Sequence, residues 1–169
     1  DFLEEYIGKL YSIINSFEKN IITLSKSAID LANKSGYSVD NFKYGKNGVM
    51  GYIEKLSCGD ISDIEERKRV KNAVTDIEEW IKKEDLQNED LKNIVINSLM
   101  PILQEINKEF ENNYKNYISA KALVNKIYIL GILNDIKNLI YEYVRANNLF
   151  LINDSSKFIN EIIDDFDAP

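Results

Sequence analysis

The sequence predicts an all-α fold, an elongated bundle of about five to seven helices with one or two long ones. Three observations carry that prediction. Apolar residues recur at three- and four-residue steps through most of the 169 residues. Helix breakers are sparse, with two prolines and seven glycines, and five of those glycines fall between Gly36 and Gly59. No stretch alternates with the two-residue period of a half-buried strand.

The first helix is expected over residues 1–34. Phe2, Tyr6, Leu10, Ile13, Phe17, Ile21, Leu24, Ala28 and Leu31 form its apolar stripe. Gly36 supplies the left-handed residue that stops many helices. Residues 35–60 read as a loop and a short helix, with Val49, Tyr52, Ile53 and Leu56 apolar and Gly59 at its end. A helix over 62–83 is expected next. Ser62-Asp63-Ile64-Glu65 has the form of a capping box, and Val70, Ala73, Val74, Ile77, Trp80 and Ile81 line one side. Asn88-Glu89-Asp90 can cap the helices of 89–147, in which a break is expected near Pro101, because proline lacks the amide proton and crowds the preceding turn. The periodic stretch from Ile102 to Asn147 is one helix, or two if it breaks near Ser119. Asp154 or Ser155 can cap a last helix over 154–165, carrying Phe158, Ile159, Ile162 and Ile163.

Composition narrows the function. The hydrophobic share of 44% and charged share of 29% are those of a globular domain. A net charge of −7 argues against a dominant nucleic-acid-binding surface. Neither half is basic: residues 1–85 hold 13 basic and 16 acidic side chains, and residues 86–169 hold 8 and 12. The lone Cys58 excludes an internal disulfide and suits a reducing, cytoplasmic setting. No apolar run reaches the ~20 residues of a membrane span. Asp1 in place of a methionine, and the stop at Pro169, read as the cut ends of an excised segment.

The chain lacks histidine, which removes histidine-ligated zinc and histidine-based triads. Cys58 without a histidine is a poor nucleophile and reads as a packing or loop residue. Gly45-Lys46 is followed by Asn47, and Asp40 stands where a phosphate loop needs its first glycine, so no nucleotide cradle is expected. Asp164-Asp165 after Ile162-Ile163 imitates a magnesium-binding strand end, but the spacing before it is helical. What remains is basic. Arg67, Lys68, Arg69 and Lys71 form the densest run, and Lys43, Lys46 and Lys55 flank the glycine-bearing loop with Tyr44 among them. Such residues can hold phosphates and offer a ring for stacking. The commoner reading is a solvated face, with Glu65 and Glu66 beside it. Tyr114, Tyr117, Tyr128 and Tyr141, at helical spacing, read as core and rim.

The stretch Asn147-Asn148-Leu149-Phe150-Leu151-Ile152-Asn153-Asp154, with Phe158-Ile159, Ile162-Ile163 and Asp164-Asp165-Phe166-Asp167-Ala168-Pro169, resembles a segment of RecB-like members of the UvrD-type superfamily 1 helicases, the exodeoxyribonuclease V beta subunit type. In those enzymes it lies upstream of the strand bearing the Walker B carboxylates. Asn41-Phe42-Lys43-Tyr44-Gly45 with Gly48 and Tyr52, and Trp80-Ile81-Lys82-Lys83, are compatible with the same family. The pattern is specific over about the last 25 residues, and the helical order fits the accessory domain called 1B over nearly the whole chain. The resemblance implies a parent hydrolase, with or without a nuclease domain, that couples ATP hydrolysis, with magnesium, to DNA unwinding in recombinational repair. It places none of the family's catalytic motifs on this chain, so no catalytic, cofactor or metal residue is expected here.

Two readings follow. The first is a non-catalytic, DNA-contacting accessory domain, its partners being DNA and the missing motor domains of the same chain. Its expected contacts are Lys43, Tyr44, Lys46, Lys55, Arg67, Lys68, Arg69 and Lys71. The second is a helical protein-interaction or structural bundle without nucleic-acid binding.

Overall fold

The structure is a computed structural model and describes residues 2–62 and 70–149. It is all-α: no strand occurs among the described residues. The chain forms two compact units, Asp1–Val124 and Asn125–Pro169.

Helix α1 (Phe2–Lys34) ends where Gly36 predicts. Gly36 adopts φ 82°, its amide donates to the Asn33 carbonyl, and the Tyr37 amide reaches back to Ala32 at 2.9 Å. That pair of bonds satisfies two carbonyls the helix end would orphan. Helix α2 (Val49–Ser57) closes the same way, with Gly59 at φ 86° and the Asp60 amide on the Lys55 carbonyl. Between the two helices lie short 3-10 turns at Val39–Asn41 and Gly45–Asn47.

Asn88 opens α3 (Glu89–Ile94), its side-chain oxygen accepting from the Leu91 amide at 3.1 Å. Helix α4 (Met100–Ala146) follows with no break. Pro101 is accommodated instead by a π turn, Val95–Leu99, in which the Met100 amide bonds to Val95, five residues back. The widened turn gives room for a ring that would otherwise crowd the carbonyl of residue 97. Ser119 lies inside α4, which runs on to a cap at Asn148 (φ 50°) and Leu149.

The core of the first unit has a seven-residue rhythm. On α1 it buries Leu10, Ile14, Phe17, Ile21, Ala28 and Ala32, and on α4 Leu103, Ile106, Phe110, Tyr117, Ala120 and Val124. Ile14 and Ala32 take the buried positions that the expected stripe gave to Ile13 and Leu31, which are exposed. The two helices run antiparallel, since Glu18 meets Tyr117 while Asn20 meets Glu109. Phe17 is the keystone: it stacks on Tyr117 (4.6 Å between centroids) and meets Phe110 edge-on (5.4 Å).

The expected count of five to seven helices is not found. The described residues hold three helical runs: α1, α2, and α3 with α4 joined through the π turn. The expected helix over 62–83 differs most. From Lys71 the chain passes through 3-10 turns at Lys71–Val74, Ile77–Glu79 and Lys83–Asp85. Trp80 is the physical reason. It is fully buried, and its indole N–H donates to the Ala73 carbonyl at 2.7 Å, which folds the segment on itself. Asp76 then caps the next turn through the Glu78 amide. The capping box at Ser62 falls largely on residues outside the described ones; Ser62 itself hydrogen-bonds Asp60. The last expected helix, 154–165, lies outside them entirely, as do the acidic pair Asp164-Asp165 and the part of the resemblance beyond Leu149.

Candidate nucleic-acid interface

The loop between α1 and α2 is built on glycines and a latch. Phe42 is buried and anchors it. A Cβ on Gly48 would stand 2.0 Å from the Lys43 carbonyl oxygen, and one on Gly51 2.0 Å from that of Lys46, so the loop lies on the start of α2 at a distance only glycine allows. The latch comes from the far segment. The Lys43 amide donates to the Trp80 carbonyl at 2.8 Å, and the Lys82 ammonium donates to the Asp40 carbonyl at 2.9 Å. The two motif pieces named from sequence, 41–45 and 80–83, are thus one structure.

That geometry sorts the candidate residues. Lys43 is committed: its ammonium donates to the Glu78 carbonyl at 2.8 Å, sits 3.4 Å from Glu79, and lies 5.1 Å from the centre of the Tyr44 ring. Tyr44 takes a left-handed backbone (φ 62°, ψ 5°) with 67% of its surface exposed. Lys46 is exposed and has no hydrogen bond or ion pair among the described residues. Lys55 is exposed one helical turn beyond Gly51. It adds a small pull on the Asp60 carboxyl, which the Ser62 hydroxyl and then the Ser62 amide hold below the usual carboxylate range. Lys71 is exposed and 3.8 Å from Glu111, too open a pair to count for much. Arg67, Lys68 and Arg69 lie outside the described residues.

The structure therefore brings Lys43, Tyr44 and Lys46 together on one loop, with Lys55 on the helix beneath it. Lys71 sits at the head of another segment. Sequence reasoning missed Lys82 and the Trp80 carbonyl, because a latch between positions some 40 apart leaves no local periodic trace. Cys58 is the exposed residue capping α2. Among the described residues no cluster of three or more metal-ligating side chains occurs, and no helix is long and apolar enough to cross a membrane.

The second unit offers a different surface. Ile129, Ile132, Leu133, Ile136, Leu139, Ile140 and Tyr143 recur at three- and four-residue steps along one side of α4, each between 45% and 64% exposed. Asn134, Asp135, Asn138 and Glu142 fall on the opposite side. Tyr128 and Tyr141 are exposed as well, whereas Tyr117 is core and Tyr114 half-buried.

In comparisons with known proteins, no family model, curated protein or solved structure matches the chain.

Proposed function

We propose that the chain is a non-catalytic accessory domain of an ATP-dependent DNA helicase or exonuclease of the RecB/UvrD type. In this reading it contacts DNA during unwinding and recombinational repair. The observation that carries the reading is the latched loop 42–48, which presents Lys46 to solvent on a rigid support. An exposed lysine on fixed backbone suits a phosphate, which positions a nucleic acid without reading its sequence. Among the described residues, Lys46 and Lys55 are the proposed phosphate contacts. Lys43 is a positioning residue, its charge already met by Glu79; Arg67, Lys68 and Arg69, outside the described residues, are further candidate contacts on their sequence alone. Phosphate contact by a few lysines is compatible with a net charge of −7, because the contact is local. No reaction step is assigned to this chain; ATP and magnesium belong to the motor domains of the parent. The apolar side of α4 suits burial against those domains.

The test is fluorescence anisotropy of labelled forked DNA at about 20 and about 150 mM salt, where the charge contacts weaken steeply. Binding at the lower salt, reduced at the higher and reduced again by Lys46→Glu with Lys55→Glu, is the expected result. The alternative, a protein-interaction bundle, is favoured by one observation, the exposed apolar side of α4 between Ile129 and Tyr143, which exceeds what solvated helices carry. Absence of binding at about 20 mM salt gives that alternative the lead.

A further inference from the structure

We infer that Tyr44 is a stacking finger for an unpaired nucleobase, so that the loop prefers a single-strand end or a single-strand/duplex junction over a closed duplex. The inference rests on the DNA-contacting reading above and assigns it a ligand class. It comes from how the ring is held. A bulky residue in the left-handed region costs free energy, and such outliers persist where their surroundings fix them. The surroundings here do so on both sides of Tyr44. Before it, Phe42 is buried and the Lys43 amide is bonded to the Trp80 carbonyl at 2.8 Å. After it, the Asn47 amide donates to the Tyr44 carbonyl at 2.9 Å, and Gly48 packs so closely that an added Cβ would lie 3.3 Å from that of Tyr44.

The fold spends this strain on an aromatic ring that it leaves 67% exposed. A core tyrosine would be buried, and a solubilising residue at a left-handed position would be glycine or asparagine. The Lys43 ammonium, paired with Glu79, lies 5.1 Å from the ring centre. Lys46, two residues on, lies on the same short turn and is exposed, which suits the phosphate next to a stacked base. An exposed ring with two rotatable bonds and a lysine for the adjoining phosphate are elements of sequence-tolerant single-strand recognition. A paired base inside a duplex shields both of its faces by stacking on its neighbours, so the ring has nothing to cover there.

The experiment compares the 169-residue chain with Tyr44→Ala and Tyr44→Trp on three labelled DNAs at about 20 mM salt: a single strand, a fork and a blunt hairpin duplex. The single strand and fork carry 2-aminopurine, whose fluorescence falls when it stacks on an aromatic ring. Tyr44→Ala is expected to weaken single-strand and fork binding on the order of tenfold and to remove the added quenching. Tyr44→Trp is expected to retain both, and the blunt duplex to change less than about twofold in either variant. Matching far-UV spectra and melting temperatures show that Tyr44→Ala keeps the fold. Equal affinity of the wild-type chain and Tyr44→Ala for every DNA overturns the finger while leaving the DNA-contacting reading in place. Failure of the wild-type chain to bind any of the three overturns both.

Discussion

Replacing Trp80 with phenylalanine tests whether the latch, rather than the local sequence, holds the candidate interface. The indole is fully buried, its N–H donates to the Ala73 carbonyl at 2.7 Å, and its own carbonyl takes the Lys43 amide at 2.8 Å. Phenylalanine keeps one ring and removes the donor. Ala73 is fully buried, so its carbonyl then lacks a partner, at about 1–3 kcal/mol. The space left by the missing ring adds roughly 1 kcal/mol. The sum is about 2–4 kcal/mol, and at ~2–4 °C per kcal/mol for a chain of this size Tm falls by roughly 5–15 °C. Circular dichroism at 222 nm follows the melt, and hydrogen exchange follows the Lys43 amide, which is expected to lose protection as its acceptor moves. A Tm within about 2 °C of the parent, with the Lys43 amide equally protected, refutes the latch.

Three further outcomes follow from the same geometry. Gly51→Ala forces a Cβ to 2.0 Å from the Lys46 carbonyl oxygen, a backbone atom that cannot swing aside as a side chain would, and is expected to lower Tm by more than about 5 °C, or to release the loop and raise exchange at Asn47 and Gly48. Burial first, with the neighbouring Glu18 adding to it, raises the Tyr117 hydroxyl above its ordinary 10.0, while the Tyr117 hydrogen bond raises Lys121 above 10.5. Both contributions are present below those ordinary values and are lost as pH climbs through the raised ones. Tm is therefore expected to be flat near pH 8–9 and to fall above about pH 10, the fall being shallower in Tyr117→Phe. Finally, Ile132→Gln with Leu139→Gln, at positions 60% and 64% exposed, is expected to leave Tm within about 2 °C and to reduce binding of an apolar dye. A large destabilisation there means those side chains are packed.

What the sequence disclosed was what local physics governs. The Gly36 stop and the Asn88 cap each depend on residues within a few positions of one another, and each is found in the structure; the α1 stripe is found in part, with Leu10, Phe17, Ile21 and Ala28 buried but Tyr6, Ile13 and Leu31 exposed. Pro101 shows the limit of a local rule: its cost to a helix is real, but one extra residue in the preceding turn absorbs it. The segment after Val70 shows the opposite failure. Val70, Ala73, Val74, Ile77, Trp80 and Ile81 satisfy a helical period, yet a single buried tryptophan bonded back to Ala73 redirects the chain. The site was legible as residue types on one loop and as two motif pieces. That these pieces bond to each other, and that Lys43 is thereby committed to Glu79 while Lys46 stays available, depends on a tertiary contact that no periodicity records.

The central claim is that loop 42–48 meets DNA. Photo-cross-linking is the most direct measurement of it: a fork carrying iodouracil at the junction is irradiated with the 169-residue chain, and the linked peptide is located by mass spectrometry. The account predicts a cross-link in the peptide containing Tyr44, diminished by competing unlabelled fork and by raised salt. Cross-links confined to other peptides, or none above the irradiated background, contradict it.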